Sequence, residues 1–192
     1  MKWHWNRNTV FSLILAAAGW WVIDHMIPPH VSGPLKVTVS KNNAPILDVH
    51  QPRAVAYGKT LWLDTLELES GSRLRHPKLG EFGYVENFFL DVETVLDVRK
   101  GGLYRFTVGS DDGFALYVDG RLVCEYRGDR PLRYDTCSVA LEPGHHRFKL
   151  SYFQGGGNSG LRVTYVAPEG ERARPVGEDS EALRFLPPQD AT

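Results

Sequence analysis

Two adjacent carboxylates, Asp111 and Asp112, stand just before Gly113 and between two alternating apolar runs, residues 104–108 and 114–118. Neighbouring negative charges repel, so a fold that aims both at one spot is stable only when a positive group or a metal occupies that spot. Calcium suits an all-oxygen site of this kind, taking six to eight oxygens at about 2.3–2.6 Å. Asp and Gly are also the residues that plain turns select, and the pair by itself leaves both readings open. A second oxygen-rich loop, residues 153–160 (FQGGGNSG), follows after one more β-patterned segment and favours the cation.

The elements that must position these groups read as strands. Short runs with period two cover residues 35–39, 60–68, 87–98, 103–108, 114–118, 121–126, 137–141, 145–153 and 161–166, separated by Gly-Gly, Asp-Gly and Pro-Gly punctuation. Asp119-Gly120 between two such runs is a hairpin signal. Past the N-terminal segment nothing shows sustained helical periodicity, which predicts an all-β sandwich or barrel over residues 35–167. Residues 30–34 read as a linker and residues 70–83 as a surface loop. From Ala167 onward the alternation gives way to Pro and Glu, so residues 168–192 read as a poorly ordered tail that docks Leu183, Phe185 and Leu186.

Composition bounds the partners. The chain has 192 residues, 42% of them hydrophobic and 23% charged, and a net charge of −1. That is enough for one packed domain with flanking segments, and no Lys/Arg cluster forms a nucleic-acid stripe. Residues 1–29 carry Lys2 and Arg7, then an uncharged run at 9–23 (TVFSLILAAAGWWVI), then Pro28 and Pro29. Two readings compete. Ala16 and Ala18 form a small-residue cleavage site of a signal peptide. Alternatively, a helix from Trp3 to Trp21 is roughly 27 Å long, close to a bilayer core, with Trp at both interfaces. Either route exports the domain: a single-pass bacterial inner-membrane protein with its domain in the periplasm, or a secreted one. Cys124 and Cys137 agree with export, where a pair is most simply a disulfide; two buried free thiols are the alternative.

The ordered series Gly102 to Phe106 (GLYRF), Ser110 to Gly113 (SDDG), Leu116 to Gly120 (LYVDG), Leu141 to Gly144 (LEPG) and Lys149 to Phe153 (KLSYF) closely resembles the PA14 domain, a β-sandwich found in adhesins. The resemblance runs from about residue 87 to residue 166. In the sugar-binding members, consecutive aspartates joined by a cis peptide hold a calcium ion. A later loop adds one side-chain amide oxygen and the carbonyls two and four residues on, and sugar hydroxyls complete the shell. The resemblance therefore implies Ca²⁺ as cofactor, with Asp111, Asp112, Gln154, Gly156 and Asn158 as metal ligands. Gly155 and Gly157 are implied beside the ligand. One departure is Gln154, where many such lectins carry Asn. With two formal charges in the shell, the expected affinity is of the weak extracellular type, on the order of 10⁻⁴–10⁻³ M.

Other motifs offer less. Residues 155–160 satisfy G-x-G-x-x-G, but a strand pattern follows instead of the helix a dinucleotide needs. His145 and His146 are neighbours on a strand and face opposite sides, so they cannot chelate one ion together. Asp91 and Glu93 share a strand face at roughly 6.6 Å and imitate a hydrolase pair, though outward polar positions explain them. Ser110 and Ser159 lack a nucleophile frame, and no enzyme is indicated. Trp62 reads as core, whereas Tyr126 and Tyr134 are open candidates for stacking on a sugar ring. The functional expectation is a glycan-binding, lectin-like module. A protein-binding scaffold of an envelope assembly is the competing class, and an ancillary domain beside a glycan-processing enzyme is a third.

Overall fold

The computed structural model describes residues 6–26, 31–170 and 172–188. The chain divides into two units, residues 1–30 and 31–192. In the first, α1 (Arg7–Met26) is helical. Among the described residues no helix is long and apolar enough to cross a membrane, so the span expected at Trp3 to Trp21 is not found there; Trp3 itself lies outside the described residues, as do Lys2, Pro28 and Pro29.

The second unit is a sandwich of two antiparallel sheets. The first sheet runs β2 (Val55–Leu63), β1 (Leu35–Asn42), β6 (Phe88–Val98), β11 (Gly144–Gln154), β8 (Phe114–Val118) and β9 (Arg121–Tyr126), with β14 (Leu183–Leu186) also on β6. The second runs β10 (Arg133–Leu141), β7 (Gly102–Asp111), β12 (Ser159–Val166), β3 (Glu67–Gly71), β4 (Leu74–His76) and β5 (Gly80–Phe82), with β13 (Arg174–Pro175) on β12. Alternation fixes the layers: Phe88, Leu90, Val92, Leu96 and Val98 of β6 point inward, and so do Tyr104, Phe106 and Val108 of β7. A one-residue slip would turn each set to solvent.

Four expectations need correction. Residues 60–68 are not one strand: β2 ends at Leu63 and β3 starts at Glu67, with Leu66 buried at the corner between them. Residues 70–83 are not a loop, because Leu74, His76 and Phe82 are apolar or pairable side chains at period-compatible positions that bury as β4 and β5. Residues 168–192 are not a poorly ordered tail where described. Val176, Leu183 and Phe185 bury in the core, and the backbone of β14 pairs with β6 from Leu183↔Val98 to Leu186↔Val95. Trp62 is also not core; it is 36% exposed on the edge strand β2.

Asp119 and Gly120 both have positive φ, 52° and 77°, and close the β8–β9 hairpin as expected. Cys124 and Cys137 form a disulfide with a Cα–Cα distance of 5.9 Å. It joins β9 of one sheet to β10 of the other, and the loop it closes carries residues 127–132 to the end of the sandwich where Asp111 and Asp112 stand.

Candidate functional site

The site grows from the end of β7. Val108 and Ser110 face the core, so period two turns Gly109 and Asp111 to the outer face of the second sheet. The peptide between Asp111 and Asp112 is cis, as the resemblance implies. Gly113 then lets the chain turn into β8 against tight neighbours: a Cβ there would fall 2.5 Å from the Phe153 ring and 2.7 Å from the Tyr126 carbonyl.

Asp112 is 4% exposed. Its Oδ2 accepts the Gly155 N–H at 2.8 Å and its Oδ1 accepts the Arg130 N–H at 3.3 Å. Burial, with repulsion from Asp111 and Asp129, outweighs these two donors and pushes Asp112 up to about 6. Asp111 is raised for the same first reason, burial, with Asp129 adding repulsion against the Leu132 N–H and the Arg130 charge. The apex thus holds carboxylates whose charge the protein itself does not fully balance.

The second loop supplies oxygens. Gln154 closes β11 and is fully buried. Its Nε2 donates to Gly156 O at 2.7 Å and to Asn158 O at 2.9 Å, and its Oε1 lies 2.6 Å from the Tyr152 hydroxyl. That hydroxyl also contacts Asp111 O, yet it carries a single proton. In this orientation the amide satisfies both carbonyls through Nε2; a cation at this point would need the amide reversed, with Nε2 toward Tyr152 and Oε1 beside Gly156 O and Asn158 O. Reversed, the amide and the two carbonyls would bring three oxygens together with no proton among them, an arrangement that a cation would stabilise. Gln154, Gly156 and Asn158 of the donor set implied by the resemblance are brought together here and joined to Asp112 through Gly155, and with the amide reversed their oxygens would fit a hard, oxygen-preferring ion. Among the described residues no group of three or more His, Cys, Asp or Glu could hold a metal, so such an ion depends on the amide and carbonyl oxygens.

The remaining expected residues are placed less uniformly. Gly157 has φ 79° and makes the turn of the loop, and Gly155 joins the two halves of the site through Asp112. Tyr134 is 56% exposed and its ring lies across Gly109, where a Cβ would fall 2.4 Å away. Tyr126 is 38% exposed, but the Arg130 guanidinium sits 4.1 Å from its ring centre, so one face is taken.

Sequence reading missed Arg130, Tyr152 and Asn87. Arg130 is 7% exposed; its Nη2 donates to Ser110 Oγ at 2.9 Å and pairs with Asp135 at 2.6 Å, which fixes the backbone N–H that Asp112 accepts. An arginine between Gly128 and Pro131 reads as solvated, and nothing in the pattern signals its burial. Tyr152 was detectable, since it shares a strand face with Gln154 two residues on. Asn87, with φ 49°, donates its N–H to Gly155 O at 3.0 Å and accepts the Ile46 N–H at 3.2 Å. It ties the loop between β1 and β2 to the site, a long-range role no local signal carries.

The PA14 domain family matches residues 84–180, half of the sequence. The chain belongs to the PA14 domain family. Solved structures agree in fold. The PA14 domain of the MpAFP antifreeze protein has a TM-score of 0.65 at 14% identity, covering 83% of this chain and 94% of that one. A PA14 sugar-binding domain from an RTX adhesin has a TM-score of 0.60 at 20% identity, covering 76% and 94%. The epithelial adhesin 9 A domain from Candida glabrata, in complex with Galβ1-3GlcNAc, has a TM-score of 0.57 at 11% identity, covering 85% and 98%. No curated protein sequence matches the chain.

Proposed function

We propose that this PA14 domain is a calcium-dependent carbohydrate-binding module. The observation that carries the reading is the junction at Gly155: an acid pair raised by burial sits beside an amide and two carbonyls that can all present oxygen to one point. Asp111, Asp112, Gln154, Gly156 O and Asn158 O would hold Ca²⁺. The ion, when bound, supplies open coordination positions that a sugar diol fills in place of water.

The chain's own residues prepare that exchange. The Gly155 and Arg130 N–H groups fix Asp112, Tyr152 holds the Gln154 side chain at the loop through its hydroxyl, and Tyr134 offers an exposed ring on the face that Asp111 shares. The sugar-binding PA14 domain of the RTX adhesin and the adhesin 9 domain with its disaccharide support a glycan partner. On this reading the module acts by binding. Export belongs to the same proposal, whether residues 1–29 anchor the protein or are removed; the Cys124–Cys137 disulfide supports an oxidising compartment.

A glycan array probed with the protein in millimolar calcium and again in chelator tests the reading. The expected result is retention of a restricted set of glycans only with calcium, and loss of that set in Asp112→Ala. Retention indifferent to both would replace the lectin with a protein-binding scaffold.

A further inference from the structure

Beside the acid pair, the outer face of the second sheet carries a cavity of about 230 Å³. Strand register puts it there. Asp111 of β7 stands opposite Gly160 of β12, and one row further along the same face Gly109 stands between Tyr134 of β10 and Arg162 of β12. Successive rows on one face are roughly 6.6 Å apart, the scale of the step from one pyranose ring to the next. Leu132 joins the two rows: its N–H donates to the Asp111 carboxylate, and the residue lines the cavity together with Tyr134 and Arg162.

Glycines shape the floor. A Cβ on Gly109 would fall 2.4 Å from Cε1 and 2.7 Å from Cδ1 of Tyr134, so the ring lies across the bare backbone of β7, and 56% of the side chain stays exposed. On β12 a Cβ at Gly160 would fall 2.5 Å from Ser70 Oγ and 3.3 Å from Leu132 Cδ1. With neither Cβ present, the surface between the Tyr134 ring and Ser70 drops to backbone level, and a flat group can settle against the ring.

The lining sets the ligand class. Tyr134 offers an apolar face, Arg162 only donors, Glu69 only acceptors and the Ser70 hydroxyl both. Arg162 and Glu69 are exposed at the lip; Glu69 lies 3.8 Å from Arg75 Nε, yet its side chain is 55% exposed, so a hydroxyl can reach the carboxylate. Glu67 stands opposite Arg162 across the strands. A carboxylated ligand would meet repulsion from Glu67 and Glu69, and a wholly apolar one would strip Arg162 and Glu69 of water. A neutral sugar ring, apolar on one face and hydroxylated at its edge, incurs neither cost.

We infer that this cavity is the subsite for a second, neutral sugar, joined to the one held at the acid pair, with Tyr134 stacking on its C–H face and Arg162 and Glu69 taking its hydroxyls. The inference rests on the lectin reading and adds that the module prefers a disaccharide or longer chain to a single sugar. The test is calorimetric titration of the full chain in millimolar calcium with the methyl glycosides of glucose, galactose, mannose and fucose, each beside a neutral disaccharide carrying that sugar at its non-reducing end. Expected is at least one disaccharide bound about tenfold more tightly than its methyl glycoside, the scale of one aromatic contact with its hydrogen bonds. In the doubly substituted Glu69→Ala, Arg162→Ala protein that preference should vanish, while the methyl glycoside binds as it does to the parent. Tyr134→Ala should also lose the preference, and Tyr134→Phe, which keeps the ring, should retain it. Melting temperatures within a few degrees of the parent check that the variants are folded. Equal binding of methyl glycoside and disaccharide, or a preference that survives the double variant and Tyr134→Ala, overturns the inference and leaves the lectin reading standing; so does a preference that Tyr134→Phe abolishes. A disaccharide bound equally well in chelator overturns the claim that the cavity serves the acid pair. No binding by any of these sugars also overturns the inference, and the glycan array in calcium then decides the lectin reading by itself.

Discussion

Asp91 and Asp112 are both nearly buried aspartates at the surface of one sandwich, and the protein treats them in opposite ways. Burial acts first on each and raises it. At Asp91, whose side chain is 12% exposed, the hydrogen bonds and charge of Arg53 and the Ser151 hydroxyl at 2.6 Å overcome that penalty and hold the carboxyl below its ordinary value. At Asp112 only backbone N–H groups oppose burial and the repulsion of Asp111 and Asp129, and the carboxyl rises to about 6. One acid has its counter-charge built in. The other is opposed by backbone N–H groups alone, the imbalance on which the proposed calcium site rests.

The sharpest way to break this contrast is to remove the apex acid. Asp112→Ala is expected to abolish any gain in melting temperature on adding calcium and to lower calcium-dependent glycan retention by at least a hundredfold. Asp91→Ala should leave the calcium gain in place. Next in size is the clamp that holds the 127–132 loop, and with it the Arg130 N–H, against Asp112. Replacing Cys124 and Cys137 together by Ser should cost about 3 kcal/mol on the loop-closure account, read from urea unfolding, and should weaken calcium binding without removing it.

Asp91→Asn leaves Arg53 facing a neutral amide. Loss of a buried pair costs about 3–5 kcal/mol, and because the Arg53 side chain is 30% exposed solvent screening lowers the expected cost to about 2 kcal/mol. Asp112→Asn in chelator at pH 7 should cost far less, since it removes a charge that burial already disfavours. The difference between the two unfolding midpoints measures the contrast directly.

Proton linkage gives a smaller effect with opposite signs. The folded state raises Asp112 above its unfolded value near 4, so between about pH 4 and 6 the native protein keeps a proton that the unfolded chain has released. Stability from this group therefore falls as pH rises through that window in ion-free protein. Asp91 is lowered, so its contribution is present above pH 4 and is lost as pH falls through its folded value. Unfolding midpoints across pH 3–7 should show the first slope vanish in Asp112→Asn and the second in Asp91→Asn.

Much of this was legible in the chain. The motif series singled out Asp111, Asp112 and Gln154, Asp119-Gly120 marked its hairpin, and period two could also have put Tyr152 on the inner face with Gln154. What stayed hidden depends on contacts distant in sequence. The burial of Arg130 follows from Ser110, Tyr126 and Asp135 closing around it, and residues 183–186 become a strand only because β6 offers an open edge beyond β1. Likewise, Asp91 is solvated by pattern but covered in the fold, since Arg53 arrives from the loop after β1 and lies 4.3 Å from the Phe89 ring centre.

The proposed calcium site requires an acid pair that takes its counter-charge from an external cation. Carboxyl-carbon NMR titration of Asp112, with Asp91 as internal reference, tests it most directly. In chelator Asp112 should titrate near pH 6, and millimolar calcium should lower that value by at least one unit while Asp91 stays unmoved. An Asp112 that titrates near pH 4 and ignores calcium would contradict the claim.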